Sequence, residues 1–393
     1  MKKSIRKRLF ALLMVLVMAL GMTACGSKKA DTPGVSGDTI KIGVVCPISG
    51  NSAIAGKYIT HGVEVVEEEL GGKLKIGDKE YNIEFVYMDN EASEEKTTNV
   101  FQKLIEEEKV IAIVGPDMSK CALAGGPIAQ KAGCPVVATF ATNTAVTEVG
   151  DYIFRACFID PFQGKMAAQY IWESGYKTTC IMFNNADAYA TGLTEAFIES
   201  YEALGGTVVA KEEYSGSDVK DYNVQLTKLA ASDAECCFFP NLLGELGLQI
   251  QQARAAGITC PIVCGDSADT PEVGEVAGAA VKDVAYVSAF SAESTTDAAK
   301  AFVEKYTTKF EGETPNSNAE LAYEATQMVL YALQNAKELS RTGVRDALAS
   351  LDGLELPSGT MKMAEDRNPI KGGVVMQYDA DGVAHFVSSI NPN

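Results

Sequence analysis

The sequence predicts an α/β fold made of two doubly wound, Rossmann-like lobes, and three observations lead to this prediction. Short apolar runs typical of buried strands alternate with helical patterns from Thr39 to Val263. Such alternation indicates right-handed βαβ crossovers, which give parallel sheets covered by helices on both faces. The alternation restarts after Asp160-Pro161, and the 393 residues suffice for two domains of ~100–200 residues each.

The first series of elements is assigned from its apolar runs and from the residues that end them. The run that begins at Thr39 is typical of a short buried strand, and Gly71-Gly72 end the helix that follows it. The predicted elements are a strand from residue 39, a helix over 53–70, a strand over 82–88, a helix over 93–108, a strand over 110–115, a helix over 119–132 and a strand over 135–139.

The second series of elements shows the same alternation of strands and helices, and from it we predict the second lobe. It opens with a helix that runs from Asp160-Pro161 to Ser174. After it we predict strands over 178–183, 208–213, 235–239 and 261–263, which alternate with helices over 191–204, 222–231 and 244–256.

The first 25 residues are typical of an export signal that ends in a cysteine. Five cations between Lys2 and Arg8 precede an uncharged apolar run, Leu9 to Met22, of 14 residues. That run is shorter than the roughly 20 residues a membrane-spanning helix needs, and therefore suits a signal peptide. The sequence Met22-Thr23-Ala24-Cys25 resembles the bacterial lipoprotein box, with Met22 where leucine is usual. An ordinary secreted protein cleaved near Ala24 is the alternative.

These features predict an extracytoplasmic protein that is lipid-anchored to the outer face of the cell membrane or is periplasmic. The signal peptide would cover residues 1–24, and residues 25–38 would form a flexible tether attached to lipid through Cys25. The segment after Cys25 is small, polar and contains glycine and proline, which is typical of a linker.

Composition narrows the function classes. The formal net charge is −18, and five of the cations lie in the predicted signal peptide, so the exported chain is more acidic still. This acidity argues against nucleic acid and against anionic lipid as partners.

Two histidines, His61 and His385, have no metal-like or triad-like neighbours in the sequence, and the chain contains no Gly-x-Ser-x-Gly motif. We therefore expect no enzyme activity, no metal and no cofactor.

Ten cysteines in an exported chain would ordinarily suggest disulfides. Cys25 is assigned to lipid, which leaves nine. Several of these lie in apolar, strand-like runs around Cys46, Cys180 and Cys236-Cys237, where cysteine serves as a small hydrophobic residue. We expect most of the nine to be reduced core residues.

Three loops at the carboxyl ends of predicted parallel strands are candidates for ligand contacts, since open α/β sheets bind ligands there. One loop brings Ser119 to a helix N-terminus, where backbone N–H groups and the helix dipole suit a carboxylate. A second carries hydroxyl groups around Thr142, and a third carries Asp266. For Ser119 and Asp266 the alternative is a helix-capping role alone.

These loops resemble those of the branched-chain amino-acid binding proteins of ABC importers, a family of type I periplasmic binding proteins. The likeness runs from about Thr39 to the C-terminus. It includes the stretches IKIGVVCPISG, IVGPDMS and VVATFATNTAVTEVGDYIFRACFIDPFQG, and the loop of Tyr189.

The resemblance implies a set of ligand-binding residues. The ligand's α-carboxylate would be held by Ser119 and Thr142, and its ammonium group by Asp266, the Phe140 carbonyl and the Thr142 hydroxyl. Tyr189 matches the tyrosine that closes the second lobe over the ligand, and Asp160 matches a further acid that faces the cleft. Together with the side-chain positions discussed next, the implied site is Ser119, Phe140, Ala141, Thr142, Tyr189, Asp266, Ala55, Leu242, Asn318 and Asp160.

The positions that would contact the ligand's side chain depart from the family pattern. Ala55 stands where an aromatic residue is common, and Leu242 or Leu243 replaces a second cleft tyrosine. Asn318 occupies a position that often carries an aromatic residue, and Met118 fills a position of the family's disulfide. We expect the grip on a zwitterion to be retained while the side-chain preference differs.

The resemblance also implies a hinge that the chain crosses three times, near Cys157, Ser288 and Met363. The first lobe would contain residues 39–157 and 288–362, and the second residues 158–287 and 363–393. The expected function of this monomer is capture of an aliphatic or other apolar amino acid for delivery to an ABC permease. Alternatives are an amide, urea or another small carboxylate as ligand, and an extracellular sensor domain.

Overall fold

The computed structural model describes residues 33–391 of the chain. The predicted signal peptide, Cys25 and the tether as far as residue 32 lie outside these residues. No helix in the described part is both long enough and apolar enough to cross a membrane.

The first sheet contains the strands of the N-terminal half of the chain. Its spatial order is β3-β4-β2-β5-β6-β7, and β1 pairs antiparallel with β2. The central strands β4, β2, β5, β6 and β7 run parallel. The strands are β1 (Val35–Ser36), β2 (Thr39–Cys46), β3 (Lys73–Ile76), β4 (Lys79–Asp89), β5 (Ala112–Val114), β6 (Val136–Ala138) and β7 (Ile153–Arg155).

The second sheet combines a parallel core with an antiparallel C-terminal hairpin. Its order is β16-β15-β12-β11-β10-β8-β9, in which β15 and β16 are antiparallel to their neighbours. The strands are β8 (Thr178–Asn184), β9 (Thr207–Tyr214), β10 (Cys236–Phe239), β11 (Ile262–Cys264), β12 (Val284–Ser288), β15 (Gly373–Tyr378) and β16 (Ala384–Ile390); β13 (Asp352–Leu356) and β14 (Gly359–Lys362) form a separate hairpin.

Helices cover these sheets and bury the strands on both faces, so that residues such as Ile40, Ile42 and Val44 have no exposed surface. The helices are α1 (Ala53–Leu70), α2 (Glu94–Gln102), α3 (Ser119–Ala132), α4 (Ala145–Glu148), α5 (Asp160–Glu173), α6 (Ala188–Ala203), α7 (Asn223–Ala230), α8 (Leu243–Ala255), α9 (Pro271–Ala277), α10 (Asp297–Lys309), α11 (Ser317–Asn335) and α12 (Arg341–Ala349).

The predicted α/β fold with two doubly wound sheets is confirmed, and α1 and α3 have the bounds that the sequence predicts. Other helices differ at their ends for local reasons. Helix α6 begins at Ala188 rather than at residue 191, because the Asp187 carboxylate accepts hydrogen bonds from the Tyr189 and Ala190 N–H groups and caps it. The helix predicted over 93–108 is divided in the structure. Its first part forms α2, and its last part, Lys103–Glu107, forms a π-helical turn, which the apolar periodicity of the sequence does not reveal.

Of the positions expected for the three crossovers, Cys157 lies between β7 of the first sheet and β8 of the second, Ser288 is the last residue of β12, and Met363 lies between β14 and β15. The first sheet ends at Arg155 and the second begins at Thr178; β12 ends at Ser288, and β15 begins at Gly373. Ordered structure begins earlier than the expected Thr39, because β1 pairs with the start of β2. The lobe limits 39–157 with 288–362 and 158–287 with 363–393 stay a prediction.

Candidate functional site

Loops from both sheets surround one small cavity of about 30 Å³. They follow the carboxyl ends of β5, β6, β8, β10 and β11, which is the edge at which open α/β sheets bind ligands. The first residues of α11 complete the wall. The lining residues are Asp117, Met118, Ser119, Phe140, Asp187, Tyr189, Leu242, Leu243, Asp266, Ser267 and Asn318.

Ser119 lies on this cavity as the first residue of α3 and does not cap the helix. Met118 occupies the N-cap position, and no side chain provides a capping hydrogen bond in this part of the structure. The Ser119 hydroxyl instead accepts a hydrogen bond of 3.2 Å from the Asn143 N–H. The first N–H groups of a helix have no partner within the helix, so this end of α3 can bind an anion.

The loop after β6 is held in place by Arg155, which the sequence analysis did not single out. This buried guanidinium donates hydrogen bonds to the carbonyl oxygens of Ala141 and Asn143, at 2.5 and 2.8 Å. The Thr142 carbonyl accepts a further hydrogen bond of 3.0 Å from the Asp160 N–H. Ala141 and Thr142 are fully buried behind Phe140 and do not line the cavity. The Thr142 hydroxyl has no hydrogen-bond partner among residues 33–391.

Two carboxylates are buried at this site without a well-aligned donor. Asp266 is 1% exposed and Asp160 is 2% exposed; Tyr189 and Gln163 lie near Asp266 and Thr142 lies near Asp160, but no described residue donates to either carboxylate at hydrogen-bond distance and angle. Burial raises the pKa of Asp266 to about 8 and that of Asp160 to about 7, because the charged form loses its hydration. Asp266 begins a short 3-10 turn and does not cap it through its side chain. Such a pair of acids is suited to a cationic, hydrogen-bond-donating ligand group.

Tyr189 packs against the loop that carries Asp266. Its hydroxyl group donates a hydrogen bond of 3.3 Å to the Gln163 side-chain oxygen, which also accepts from the Asp266 N–H at 3.5 Å. A Cβ atom on Gly265 would lie 2.1 Å from the Tyr189 hydroxyl. Residue 265 must therefore be glycine for tyrosine and carboxylate to lie this close.

The two sides of the cleft are in contact. The Asn143 side-chain amide donates a hydrogen bond of 2.7 Å to the Ala188 carbonyl at the start of α6. Asn143 follows a strand of the first sheet, whereas Ala188 follows a strand of the second. The loops that would hold a ligand are thus drawn together in the structure.

Apolar side chains and one further acid form the rest of the cavity wall. Met118, Phe140, Leu242 and Leu243 supply apolar surface, with Asn318 beside them. Asp117 also lines the cavity; it is 4% exposed, and its Oδ1 accepts no hydrogen bond from the described chain. Burial raises the pKa of Asp117 to about 6.

The structure thus brings together most of the residues that the sequence analysis proposed. Ser119, Phe140, Tyr189, Leu242, Asp266 and Asn318 line the cavity, while Ala141, Thr142 and Asp160 lie in contact with these loops. Ala55 is buried and is not part of the lining. Sequence reasoning did not select Asp117, Asp187, Ser267, Gln163 or Arg155 as site residues.

Neither histidine belongs to the site. His61 is hydrogen-bonded to Glu313 at 2.9 Å and is stacked on Phe310, and His385 is an exposed residue between Glu293 and Asp379. Within residues 33–391 no group of three or more His, Cys, Asp or Glu side chains is arranged to hold a metal ion.

Comparison with known proteins gives one consistent result. The model of the periplasmic binding protein family matches residues 39–383. An amino acid binding protein of Pseudomonas aeruginosa is 28% identical over 278 residues, which cover 70% of each chain. Leucine binding protein LivK of Thermotoga maritima is 29% identical with a TM-score of 0.84, over 90% of this chain and 99% of that one.

The substrate-binding protein LivJ of Streptococcus pneumoniae, a branched-chain amino acid transporter component solved with isoleucine, is similar to the same extent. It is 31% identical with a TM-score of 0.83, over 90% of this chain and all of the other. The region matched by the family model contains the parallel strands of both sheets and every loop of the cavity. The chain is therefore a member of the periplasmic binding protein family, with the type I fold of the branched-chain amino acid binding proteins.

Proposed function

We propose that this protein captures an α-amino acid in the cavity between its two sheets and delivers it to an ABC permease. The observation that carries the proposal is the buried Asp266 carboxylate on the cavity, with the buried Asp160 carboxylate near it and no well-aligned donor to either from residues 33–391. An ionised carboxylate removed from water is costly unless it is paired and hydrogen-bonded. The ammonium group of an amino acid supplies three donors and a positive charge at this place.

The other end of a zwitterion would be bound at the start of α3. There the Ser119 N–H and hydroxyl group lie on the cavity, and the positive end of the helix dipole favours a carboxylate. Because the anion site belongs to a loop of the first sheet and Asp266 to a loop of the second, one ligand contacts both sides. Its binding would stabilise the contact between them.

The apolar wall supports a preference for an aliphatic or other apolar side chain, of the leucine, isoleucine or valine type. Met118, Phe140, Leu242 and Leu243 together offer surface that such a side chain can bury, at about 25 cal/mol for each Å² removed from water. LivJ, which is 31% identical, was solved with isoleucine, and this also supports the preference.

An amide, urea or another small carboxylate is the second candidate ligand, and Asp117 is the observation that favours an amide. Its buried Oδ1 accepts no hydrogen bond within the described chain, although the residue lies among the apolar contacts of the cavity. An amide N–H would satisfy this oxygen, whereas a leucine side chain would leave it unpaired, at a cost of about 1–3 kcal/mol.

A thermal-shift panel of the twenty amino acids and short-chain amides on the full chain tests both candidates. A ligand at a hundred times its Kd stabilises the native state by roughly 2.7 kcal/mol, which raises Tm by several degrees. The variant Asp117→Leu separates the candidates. It should strengthen binding of leucine-type ligands by removing the unpaired oxygen, and it should weaken binding of an amide. No shift with any amino acid would contradict the main proposal.

We propose that the protein acts at the outer face of the cell membrane through lipid on Cys25. Replacing Cys25 by serine should release the protein from the membrane fraction or leave it unprocessed. Normal processing with membrane retention of this variant would contradict lipid anchoring. An extracellular sensor role would use the same cavity, and a neighbouring receptor gene in place of permease genes would favour it.

A further inference from the structure

Three cysteine sulfur atoms lie in a row in the second sheet, well away from the ligand cavity. The Sγ atoms of Cys180 and Cys237 are 3.0 Å apart, and those of Cys237 and Cys260 are 3.6 Å apart. Cys180 and Cys237 are direct partners on the neighbouring parallel strands β8 and β10. Neighbouring strands are ~4.8 Å apart, within the range of about 4.4–6.8 Å between the Cα atoms of a disulfide.

The three thiols differ in their access to solvent. Cys180 and Cys237 are buried in the core, whereas Cys260, in the loop before β11, is partly exposed. All nine cysteines of the described chain are free thiols. A reagent in solution can therefore reach Cys260 directly, whereas burial shields Cys180 and Cys237.

The surroundings of Cys260 favour its thiolate. The hydrogen bond with the Cys237 thiol and the nearby Arg254 guanidinium lower the pKa of the Cys260 thiol. Arg254 is fixed beside it by hydrogen bonds to the carbonyl oxygens of Ile258, at 3.0 Å, and Cys260, at 2.7 Å. In contrast, burial raises the pKa of the Cys134 thiol to about 11. The thiolate is the reactive form of cysteine.

We propose that Cys260, Cys237 and Cys180 form a thiol–disulfide site that reacts with peroxides. The Cys260 thiolate attacks one oxygen of hydrogen peroxide and breaks the O–O bond; a sulfenic acid forms, and the departing hydroxide takes up a proton as water. The Cys237 thiol then attacks the Cys260 sulfur. The new S–S bond releases the sulfenic hydroxyl group, which leaves with the Cys237 proton as a second water.

Cys180 allows the disulfide to move into the core. Its sulfur can attack Cys237 in the Cys237–Cys260 disulfide, which forms a Cys180–Cys237 bond and returns Cys260 to a thiol, with no further change in oxidation state. The exchange leaves the exposed position reduced. The site can therefore hold one disulfide while most cysteines of the chain stay free.

Oxidation should leave ligand binding almost unchanged because of where the site lies. Cys260 precedes β11, whereas Asp266 follows that strand. Six residues at ~3.3 Å each would separate the two by at most about 20 Å, and β11 holds the middle three of them extended. Ligand affinity thus serves as an internal check that the oxidised protein is still folded.

The test is peptide mass mapping of the full chain after treatment with one equivalent of hydrogen peroxide. The reduced protein is treated, thiols are blocked in denaturant without reductant, and a dimedone trap marks sulfenic acid. We expect dimedone on Cys260 at early times, and later a disulfide that links Cys237 to Cys260 or to Cys180. The variant Cys260→Ser should react with hydrogen peroxide at least about tenfold more slowly than the parent.

Two variants keep the test decisive. In Cys180→Ser the Cys237–Cys260 disulfide should be the final product, and Cys134→Ser, which changes a buried cysteine outside the row, should react like the parent. The proposal is overturned if all thiols react at similar rates, if Cys260 proceeds to sulfinic acid without forming a disulfide, or if Cys260→Ser reacts as fast as the parent.

Discussion

In the function that we propose, Ser119 and Asp266 would divide the recognition of an amino acid between two loops. Ser119 offers a hydroxyl group and an N–H group at the positive end of α3, and Asp266 offers a buried carboxylate from the other sheet. Ser119 would bind the α-carboxylate and Asp266 would bind the ammonium group, and all amino acids share both groups. Discrimination among amino acids would therefore depend on the other wall of the cavity, where Phe140, Leu242 and Asp117 lie.

Replacing Ser119 by alanine should weaken the binding of every amino acid ligand to a similar degree. The change removes one hydrogen bond to a charged carboxylate, which costs about 1.5–3 kcal/mol, or roughly ten- to 150-fold in Kd. Titration calorimetry with two ligands of different side chain measures the effect. Ser174→Ala, at an exposed position, is the control and should bind like the parent. A loss confined to one ligand would contradict the assignment of Ser119 to the α-carboxylate.

At the scale of elements, helix α6 presents Tyr189 to the cleft, and Asp187 fixes where that helix begins. The Asp187 carboxylate accepts hydrogen bonds of 3.1 Å from the N–H groups of Tyr189 and Ala190. Asp187 thus stabilises the start of α6 and fixes the position of Tyr189, a candidate ligand contact.

Asp187→Ala should lower the free energy of unfolding by about 1 kcal/mol, because two N–H groups lose their acceptor. A chain of this size should then lose a few degrees in Tm, which scanning calorimetry measures. Asp297→Ala is the matched control, since Asp297 lies in the first turn of α10, where Thr296 provides the cap. An Asp187 variant as stable as the Asp297 variant would contradict the capping role.

The helices that end at glycine were the elements most fully predictable from the sequence. Both α1 and α3 are followed by a glycine in the left-handed conformation, Gly71 with φ 59° and Gly133 with φ 60°. The C-terminal hairpin was less predictable. In β16 the side chains are exposed or half-buried, and Phe386 and Val387 keep over 40% of their surface exposed, so no buried apolar run marks the strand.

The candidate site was predictable where a residue follows a strand of the parallel core, as with Ser119, Phe140 and Asp266. Gln163 does not follow a strand, and Asp117, although it lies in the same loop as Ser119, carries no sequence signal that separates it from its neighbours. Their role depends on burial and on atoms left without partners, which only the packed structure reveals. Arg155 is the last residue of β7, and its hydrogen bond to the Ala141 carbonyl joins residues that are 14 positions apart in the sequence. These parts of the site follow from tertiary packing.

At the scale of the whole molecule, a buried ion pair ties helix α11 to the segment that leads into β15. Lys371 is 6% exposed and lies 2.9 Å from the Glu324 carboxylate and 3.8 Å from that of Glu320. Burial and the neighbouring Glu324 charge raise the pKa of Glu320 well above its usual range. This segment is also the place expected for the third crossover.

Lys371→Met should destabilise the protein by about 3–5 kcal/mol, because it leaves the Glu324 carboxylate buried without its counter-ion. Urea unfolding measures the change. The double variant Lys371→Met with Glu324→Gln should recover part of the loss, since it removes the unpaired charge. No recovery in the double variant would contradict an electrostatic origin.

The acids of the cleft should also make its closure depend on pH. The structure buries Asp160 and Asp266 and raises their pKa values to about 7 and about 8, whereas an open form of the cleft would return them to water, near the ordinary pKa of 3.8. Between these values the closed form binds more protons than the open form. Without ligand, the population of the closed form therefore falls as the pH rises.

Small-angle X-ray scattering of the ligand-free protein tests this dependence. The radius of gyration should be larger at about pH 8.5 than at about pH 5, and the variant carrying Asp160→Asn and Asp266→Asn should lose the difference. A parent protein whose dimensions do not change with pH would contradict the inferred cost of closure.

The most direct measurement of the central claim is titration calorimetry of the Asp266→Ala variant with the amino acid that the parent binds best. The ammonium group would be left in the closed cleft without its main partner, so we expect a loss of about 3–5 kcal/mol, or roughly a hundredfold to a few thousandfold in Kd. Asp297→Ala, outside the cavity, should bind like the parent. If Asp266→Ala binds the amino acid as tightly as the parent does, the proposed recognition of a zwitterion between the two sheets is wrong.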